Sequence, residues 1–244
     1  MKQVNYVILE NAPLTDSVWR IALRGDNAAI TAPGQFVNIR LDGLYLRRPI
    51  SVCDVEGDRL TLIYKVVGAG TEQLSHMRPG EALDVLSGLG NGYDIACAGA
   101  RPLLIGGGVG VPPLYLLAKE LIKAGRTVTV CLGFNTKGEV FYEDEFRALG
   151  CDVRVSTVDG SYGTKGFVTN VLPDGPTHYF ACGPEPMLRA VHGAVACSGQ
   201  LSFEARMGCG FGACMGCTCE TIAGYKRICR DGPVMRKEEI KWSN

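Results

Sequence analysis

Between Val18 and Val67 the chain repeats one pattern, in which short runs of aliphatic and β-branched residues are cut by Gly, Asp and Asn. The runs are Val18–Leu23, Gln35–Leu41, Ile50–Val55 and Arg59–Val67. The cuts include Gly25-Asp26-Asn27, Asp42-Gly43 and Glu56-Gly57-Asp58. Strands at this spacing predict a small antiparallel barrel. The period then changes. Arg101–Ile105, Thr127–Leu132, Val153–Val158 and His178–Cys182 read as strands, and Pro112–Ala124, Phe141–Leu149 and Glu185–Ala196 as helices. Strands alternating with helices predict a parallel sheet with crossovers. The expected fold class is β barrel plus α/β. The barrel spans residues 1–97, the α/β domain 98–199, and a small cysteine-rich module 200–244.

Composition narrows the function. Apolar residues make up 46% of the chain, enough for a buried core. The 25 acids balance 25 bases, which argues against nucleic acid as a partner. The short basic cluster Lys226, Arg227 and Arg230 reads as a solvated or partner-facing patch. No apolar run is long enough to span a membrane. The first residues lack the apolar core of a secretory signal, so a cytoplasmic location is expected. Eleven cysteines, an odd number, fit a reducing compartment better than a disulfide framework.

Four of those cysteines carry the strongest signal. Cys209, Cys214 and Cys217 read C-x4-C-x2-C, and Cys229 follows after eleven intervening residues. This spacing is that of plant-type [2Fe–2S] clusters, in which one loop supplies three thiolates and a separate segment closes the cage. The glycines of Gly208–Cys217 allow backbone N–H groups to approach the cluster sulfurs. Zinc also takes four thiolates. A structural zinc site, however, usually has two C-x2-C knuckles, and only Cys214 and Cys217 form one. Cys219 is a spare thiol, structural or exchangeable with Cys217. His76, His178 and His192 have no metal-like or triad-like spacing and read as structural, so no catalytic side chain is assigned.

Two further boxes suit nucleotides. Gly106, Gly107, Gly108 and Gly110 form a G-G-G-x-G turn between a strand and a helix, and Cys182, Gly183, Pro184 and Met187 mark a second such turn. Two glycine-rich turns at the carboxyl edge of one parallel sheet let a dinucleotide approach backbone and helix dipole. Alone, each is often only a tight turn. In the barrel region, Arg48-Pro49-Ile50-Ser51, which alone is usually mere strand punctuation, precedes Gly70-Thr71. An arginine facing a helix N-terminus, with Thr71 as N-cap, would suit a pyrophosphate.

Together these boxes resemble the ferredoxin–NADP reductase superfamily over essentially the whole chain. The most specific stretch, Glu204 to Val234, resembles the branch formed by the electron-transfer subunits of class 1B, NAD-dependent dihydroorotate dehydrogenases. The resemblance implies an FAD barrel and an NAD-binding domain. It matches Arg48, Pro49, Ile50 and Ser51 to the first FAD stretch, Ile63, Tyr64 and Lys65 to the second, and Gly70 and Thr71 to the third. It matches Cys209, Cys214, Cys217 and Cys229 to the cluster ligands. Lys65 departs from the Arg of many relatives, and only Arg grips phosphate as a bidentate fork. Phe134-Asn135-Thr136-Lys137 holds one base and no Arg, which favours NAD over NADP.

The cofactors make chemical sense in series, because a cluster carries single electrons, NAD takes a hydride, and a flavin handles both. All 244 residues are already assigned, whereas dihydroorotate oxidation needs an FMN barrel of about 250 residues. The resemblance therefore implies a separate FMN-containing catalytic subunit, in a heterotetramer with two of each chain, serving pyrimidine biosynthesis. A subunit of another redox complex (a ferredoxin-dependent bifurcating transhydrogenase or a sulfhydrogenase) and a zinc-stabilised binding module remain alternatives.

Overall fold

The computed structural model describes residues 1–242. Six strands close an antiparallel barrel: β1 (Lys2–Pro13), β2 (Val18–Arg24), β3 (Phe36–Ile39), β4 (Arg48–Glu56), β5 (Arg59–Lys65) and β6 (Ala82–Leu89), in the order β1-β2-β5-β4-β3-β6. Alternate residues point inward, so Ile21, Leu23, Val37, Ile39, Val52, Leu60, Leu62 and Val85 are fully buried. Four of the six strands match the expected runs to within two or three residues at each end. β1 and β6 add the other two. In β1 only Tyr6 and Ile8 are buried, so its alternation is faint in sequence.

Closure is incomplete at one point. The β4–β5 ladder runs from Glu56↔Arg59 to Val52↔Leu62 and stops there. Arg48 to Ser51 still pair with β3 on the other side, and Ile63 to Lys65 still pair with β2. The two strand ends therefore part and leave a slot between them. Helix α1 (Ala69–His76) follows β5 and packs Leu74 into the barrel core.

The second sheet has the order β10-β9-β8-β7-β11-β12-β15. Its strands are β7 (Pro102–Gly107), β8 (Thr129–Phe134), β9 (Asp152–Thr157), β10 (Thr164–Lys165), β11 (His178–Cys182), β12 (Gly199–Ser202) and β15 (Val234–Arg236). All pairings are parallel except β12 with β15. From β7 the chain winds outward through β8, β9 and β10, then returns to the other side of β7 as β11. Strand order thus reverses between β7 and β11, and such a switch point is where open α/β sheets bind ligands. Helix α2 (Pro113–Lys123) buries Leu114, Leu117, Ala118 and Leu121, one face at helical spacing. Helix α3 (Glu143–Ala148) begins later than the sequence suggests because Tyr142, at φ 66°, breaks the helical path. Helix α4 (Glu185–Ala194) follows β11.

All four predicted ligand cysteines lie between β12 and β15. That excursion holds a hairpin, β13 (Thr218–Thr221) with β14 (Gly224–Arg227), and a single helical turn, α5 (Ile228–Asp231). The expected boundary at residue 200 falls within β12, so the cysteine-rich segment starts and ends in the sheet. No helix among the described residues is long and apolar enough to cross a membrane.

Barrel and sheet are joined through α2. Leu116 enters the barrel's apolar cluster. Lys119 Nζ donates to both carboxylate oxygens of Asp54 at 2.9 Å and to Glu56 at 2.8 Å. The Asp54 side chain is only 12% exposed, whereas that of Glu56 is 65% exposed. The Asp54 contact therefore dominates, because exposed pairs contribute little. Lys119→Met should leave Asp54 without its cation and destabilise the chain by about 1–3 kcal/mol, read as a lower urea midpoint. Lys241→Ala, at an exposed pair with Glu220, should leave the midpoint unchanged. Equal effects would show that the clamp does not hold the two units together.

Candidate functional site

The barrel slot brings the first two predicted boxes together. A Cβ added at Gly70 would lie 2.2 Å from Arg48 Nε and 2.7 Å from its Cζ. The guanidinium therefore rests on the first turn of α1, and any Cβ at Gly70 would displace it. Arg48 is further fixed by donating to the Leu46 carbonyl. An arginine and a helix N-terminus thus meet at one place, and both favour a phosphate anion.

Thr71 has a different role from the one expected. The N-cap is Gly68, and Thr71 lies inside the helix. Its Oγ1 accepts from Val67 N at 2.9 Å and donates to Gly68 O at 3.1 Å, which fixes the β5–α1 turn. Tyr64 also points elsewhere. Its ring is in the barrel core and its hydroxyl donates to Asn11 Oδ1 at 2.9 Å, so it offers the slot its main chain only. Ile63 is buried in the same apolar cluster as Val111 and Leu114, while Lys65 is exposed. Pro49, Ile50 and Ser51 are half-buried on the opposite lip.

The two glycine turns meet at the switch point. β7 and β11 are neighbours, with Gly106 opposite Cys182. A Cβ on Gly110 would lie 2.3 Å from the Cys182 carbonyl oxygen, and one on Gly107 would lie 2.4 Å from Met187 Sδ. A Cβ on Gly183 would lie 2.6 Å from Met187 Cε. Gly110 is therefore required by the backbone contact between the turns, while Gly107 and Gly183 make room for the Met187 side chain. Gly106 is required by Val111, whose Cγ2 would lie 2.9 Å from its Cβ. Gly108 differs, because it has φ 51° and open space above it, so an approaching ligand meets bare backbone there. Pro184 opens α4. Burial pushes the Cys182 thiol up to about 12 against a hydrogen bond from Ser202, so Cys182 is neutral at physiological pH. At the outer end of β8, Glu139 accepts from Asn135 N at 3.1 Å and Nδ2 at 2.8 Å. An acidic group there suits an unphosphorylated ribose.

The four cysteines fall into two pairs. Cys214 N and Ala213 N donate to Cys209 Sγ at 3.4 and 3.2 Å, and Cys209 N donates to Cys214 Sγ at 3.4 Å. Cys229 N donates to Cys217 Sγ at 3.4 Å. Positive φ angles at Gly210, Gly212 and Met215 turn the loop so that its amides face the sulfurs. Burial raises the Cys209 thiol, but the N–H groups of Cys214, Phe211 and Ala213 outweigh it and hold Cys209 below the usual thiol range. Burial and the neighbouring Cys217 push Cys229 above that range. Among the described residues no three His, Cys, Asp or Glu side chains converge on one ion position. Two adjacent thiol pairs fit a two-iron cluster, one pair to each iron, better than a single zinc. The pairs differ in exposure: Cys217 and Cys229 are buried, Cys209 is half-buried and Cys214 is exposed.

The surroundings hold this loop from several sides. Arg227 Nη1 donates to Gly212 O at 2.9 Å while its Nε pairs with Asp231 at 3.1 Å, and Lys226 pairs with Glu239. Two of the three basic residues expected at the surface are therefore internal ties. Asn91, from the barrel's exit, donates to Val234 O at 2.7 Å and accepts from Val234 N at 3.1 Å. Asn38 of β3 donates to the carbonyl of Cys209. Neither asparagine carries a sequence signal. Cys219 lies on β13 opposite Lys226, and burial raises its thiol. His178 packs against Gln200 and Cys97 and His192 against Trp242, and His76 ends α1, in keeping with structural roles.

Comparison with known proteins agrees with this geometry. Residues 204–241 match the iron-sulfur cluster binding domain of dihydroorotate dehydrogenase B, and residues 104–193 match the oxidoreductase NAD-binding domain. The dihydroorotate dehydrogenase B (NAD(+)) electron transfer subunit of Geobacillus sp. (strain WCH70) is 45% identical over 98% of this chain and 99% of its own length. That of Fusobacterium nucleatum is 43% identical over 99% of each chain. The structure of an NADH-dependent reduced ferredoxin-NADP oxidoreductase, described for flavin-based electron bifurcation, superposes with a TM-score of 0.88 at 31% identity, covering 97% of this chain and 90% of that one. The ferredoxin reductase of carbazole 1,9a-dioxygenase, at 21% identity and a TM-score of 0.68 over 79% of this chain and 65% of that one, shares the fold.

Gly110→Ala should force the two turns apart and raise the KM for NADH in dye reduction by about tenfold or more, the equivalent of a lost hydrogen bond. Gly193→Ala, in α4 with open space around it, should instead raise stability by up to about 1 kcal/mol. An unchanged KM for Gly110→Ala would show that the turns do not form the nucleotide edge.

Proposed function

The chain belongs to the family of electron transfer subunits of dihydroorotate dehydrogenase B (NAD(+)), and on that premise we propose how its residues perform the transfer. It is an oxidoreductase subunit that uses a [2Fe–2S] cluster, FAD and NAD. When bound, the cluster handles single electrons, the flavin takes them singly and gives them in pairs, and the nicotinamide accepts a pair. Cys209 and Cys214 hold one iron, and Cys217 and Cys229 hold the other. Arg48 and the first turn of α1, with Gly70 and Thr71, hold the pyrophosphate of FAD. The open main chain of Pro49 to Ser51 and of Ile63 to Lys65 lines the flavin slot. Gly106 to Gly110, with Cys182, Gly183, Pro184 and Met187, seats NAD beside it, and the Glu139 carboxylate accepts from its ribose. No side chain has to move a proton, and the neutral Cys182 thiol takes no part in acid–base chemistry.

The observation that carries this reading is the exposure gradient across the cysteine pairs. The Cys214 side opens to solvent, ringed by the exposed Phe211 and Met215, while Cys217 and Cys229 share an apolar cluster with Phe36 and Leu89 of the barrel. Electrons from outside the chain would enter on the exposed Cys214 side, since Cys209 rests on Asn38 of the barrel and Cys217 and Cys229 share its apolar cluster. The donor is the catalytic subunit of the same enzyme, which carries FMN and oxidises dihydroorotate for pyrimidine synthesis. Two copies of each chain form the complex, in the cytoplasm. Residues 1–97 serve FAD, 98–199 serve NAD and 200–244 serve the cluster.

Reconstitution tests this reading. NADH formation driven by dihydroorotate should require both this chain and the catalytic subunit. Cys214→Ser should abolish it while NADH-to-dye activity persists. Turnover by this chain alone, or full coupling by the Cys214 variant, would overturn the relay. Coupling to ferredoxin and not to dihydroorotate oxidation would move the chain to the bifurcating branch.

A further inference from the structure

β3 lines the barrel with Val37 and Ile39, so Phe36 and Asn38 face outward, toward the cysteine-rich segment. Asn38 is nevertheless only 1% exposed, because the cluster loop covers it. Its Nδ2 donates to the carbonyl oxygen of Cys209 at 3.3 Å. The approach is tight: a Cβ on Gly210 (φ 78°) would lie 2.4 Å from Asn38 Nδ2, so only a glycine after the first ligand allows it. On its other side Asn38 pairs across the ladder with Pro49 of the flavin slot. Arg47 secures the strand there, donating to Asn38 O at 3.4 Å and to both carboxylate oxygens of Asp84 at 3.0–3.1 Å.

Asn38 is an expensive residue for this position. Its Oδ1 is buried and has no partner among the described residues, and a half-satisfied buried amide costs stability. An aliphatic side chain would fill the same space without that cost. What Asn38 supplies, and an aliphatic residue cannot, is the N–H toward Cys209.

We propose that Asn38 is the positioning residue that docks the first cluster ligand onto β3, the strand next to the flavin slot, and tunes the cluster through its amide dipole. One side chain then links the two redox sites. It fixes the Cys209 main chain relative to the β3–β4 ladder, and hence the gap an electron crosses. The positive end of its amide points at the ligand loop, which favours the more negatively charged, reduced cluster. The proposal rests on the reading that Cys209 ligates the cluster.

The test uses the complete chain with its cofactors, in native, Asn38→Leu and Asn38→Asp forms. Leu removes both polar atoms at similar volume, and Asp keeps size and an acceptor while removing the donor. Both variants should retain FAD and NADH-to-dye activity. In both, the cluster midpoint potential, followed by electron paramagnetic resonance during a redox titration, should move to more negative values, further for Asp than for Leu. Electron transfer from NADH-reduced flavin to the cluster should slow by about tenfold. Failure of the cluster to assemble while FAD stays bound would be the same role in its extreme form. Native potentials and rates in both variants would overturn the proposal, as would loss of FAD with an unaltered cluster. A native chain with no cluster would instead overturn the assignment of Cys209, and so separates the two failures.

Discussion

Three strand pairs, Gln200↔Arg236, Leu201↔Met235 and Ser202↔Val234, decide where the electron-carrying segment sits. They bring the chain back to the sheet after an excursion containing Cys209, Cys214, Cys217 and Cys229. Without that return, Cys229 would hang on an open tail, and the cage would need its fourth thiolate from an unconstrained chain, at the entropic cost of closing the loop. With it, Cys229 is buried beside Cys217, Asn38 of the barrel wall holds the loop at Cys209, and Asn91 ties down the returning strand at Val234. The small antiparallel addition of β15 thus makes a cysteine pattern into a site.

The same economy shapes the other two candidate sites. A barrel ladder that stops at Val52↔Leu62 leaves main-chain groups of two strands open to a ligand, and an arginine packed on a glycine closes one end of the slot. The parallel sheet reverses its order beside this slot, and α2 carries both the glycine turn and the Lys119 clamp to the barrel. A shift of α2 therefore moves the nucleotide edge relative to the flavin slot. Rigid placement is what the chain must supply, because the transfers themselves belong to the bound groups.

Much of this was legible in the sequence because the chemistry demands rare local features. Glycines that admit no Cβ, four thiols at a fixed spacing and an Arg-Pro at a strand start are visible without a fold. The barrel's central strands and the alternating α/β region were also legible, because their buried faces are strongly periodic. β1, half-exposed along its length, and β15, three residues long, gave too little period to be seen. Thr71 misled because its type suits an N-cap, while the helix starts earlier at Gly68 and uses the hydroxyl inside the turn. Asn38 was invisible for a different reason. Its importance comes from a contact 171 residues away in sequence, which no local pattern encodes.

The relay stands or falls on whether this chain's own cysteines hold a two-iron cluster beside a flavin. Chemical analysis of the anaerobically purified chain, with its electron paramagnetic resonance spectrum after NADH reduction, tests it most directly. About two irons, two acid-labile sulfides and one FAD per chain are expected, with a rhombic signal from the reduced cluster that disappears in Cys217→Ser. One zinc per chain, no labile sulfide and no signal on reduction would contradict it.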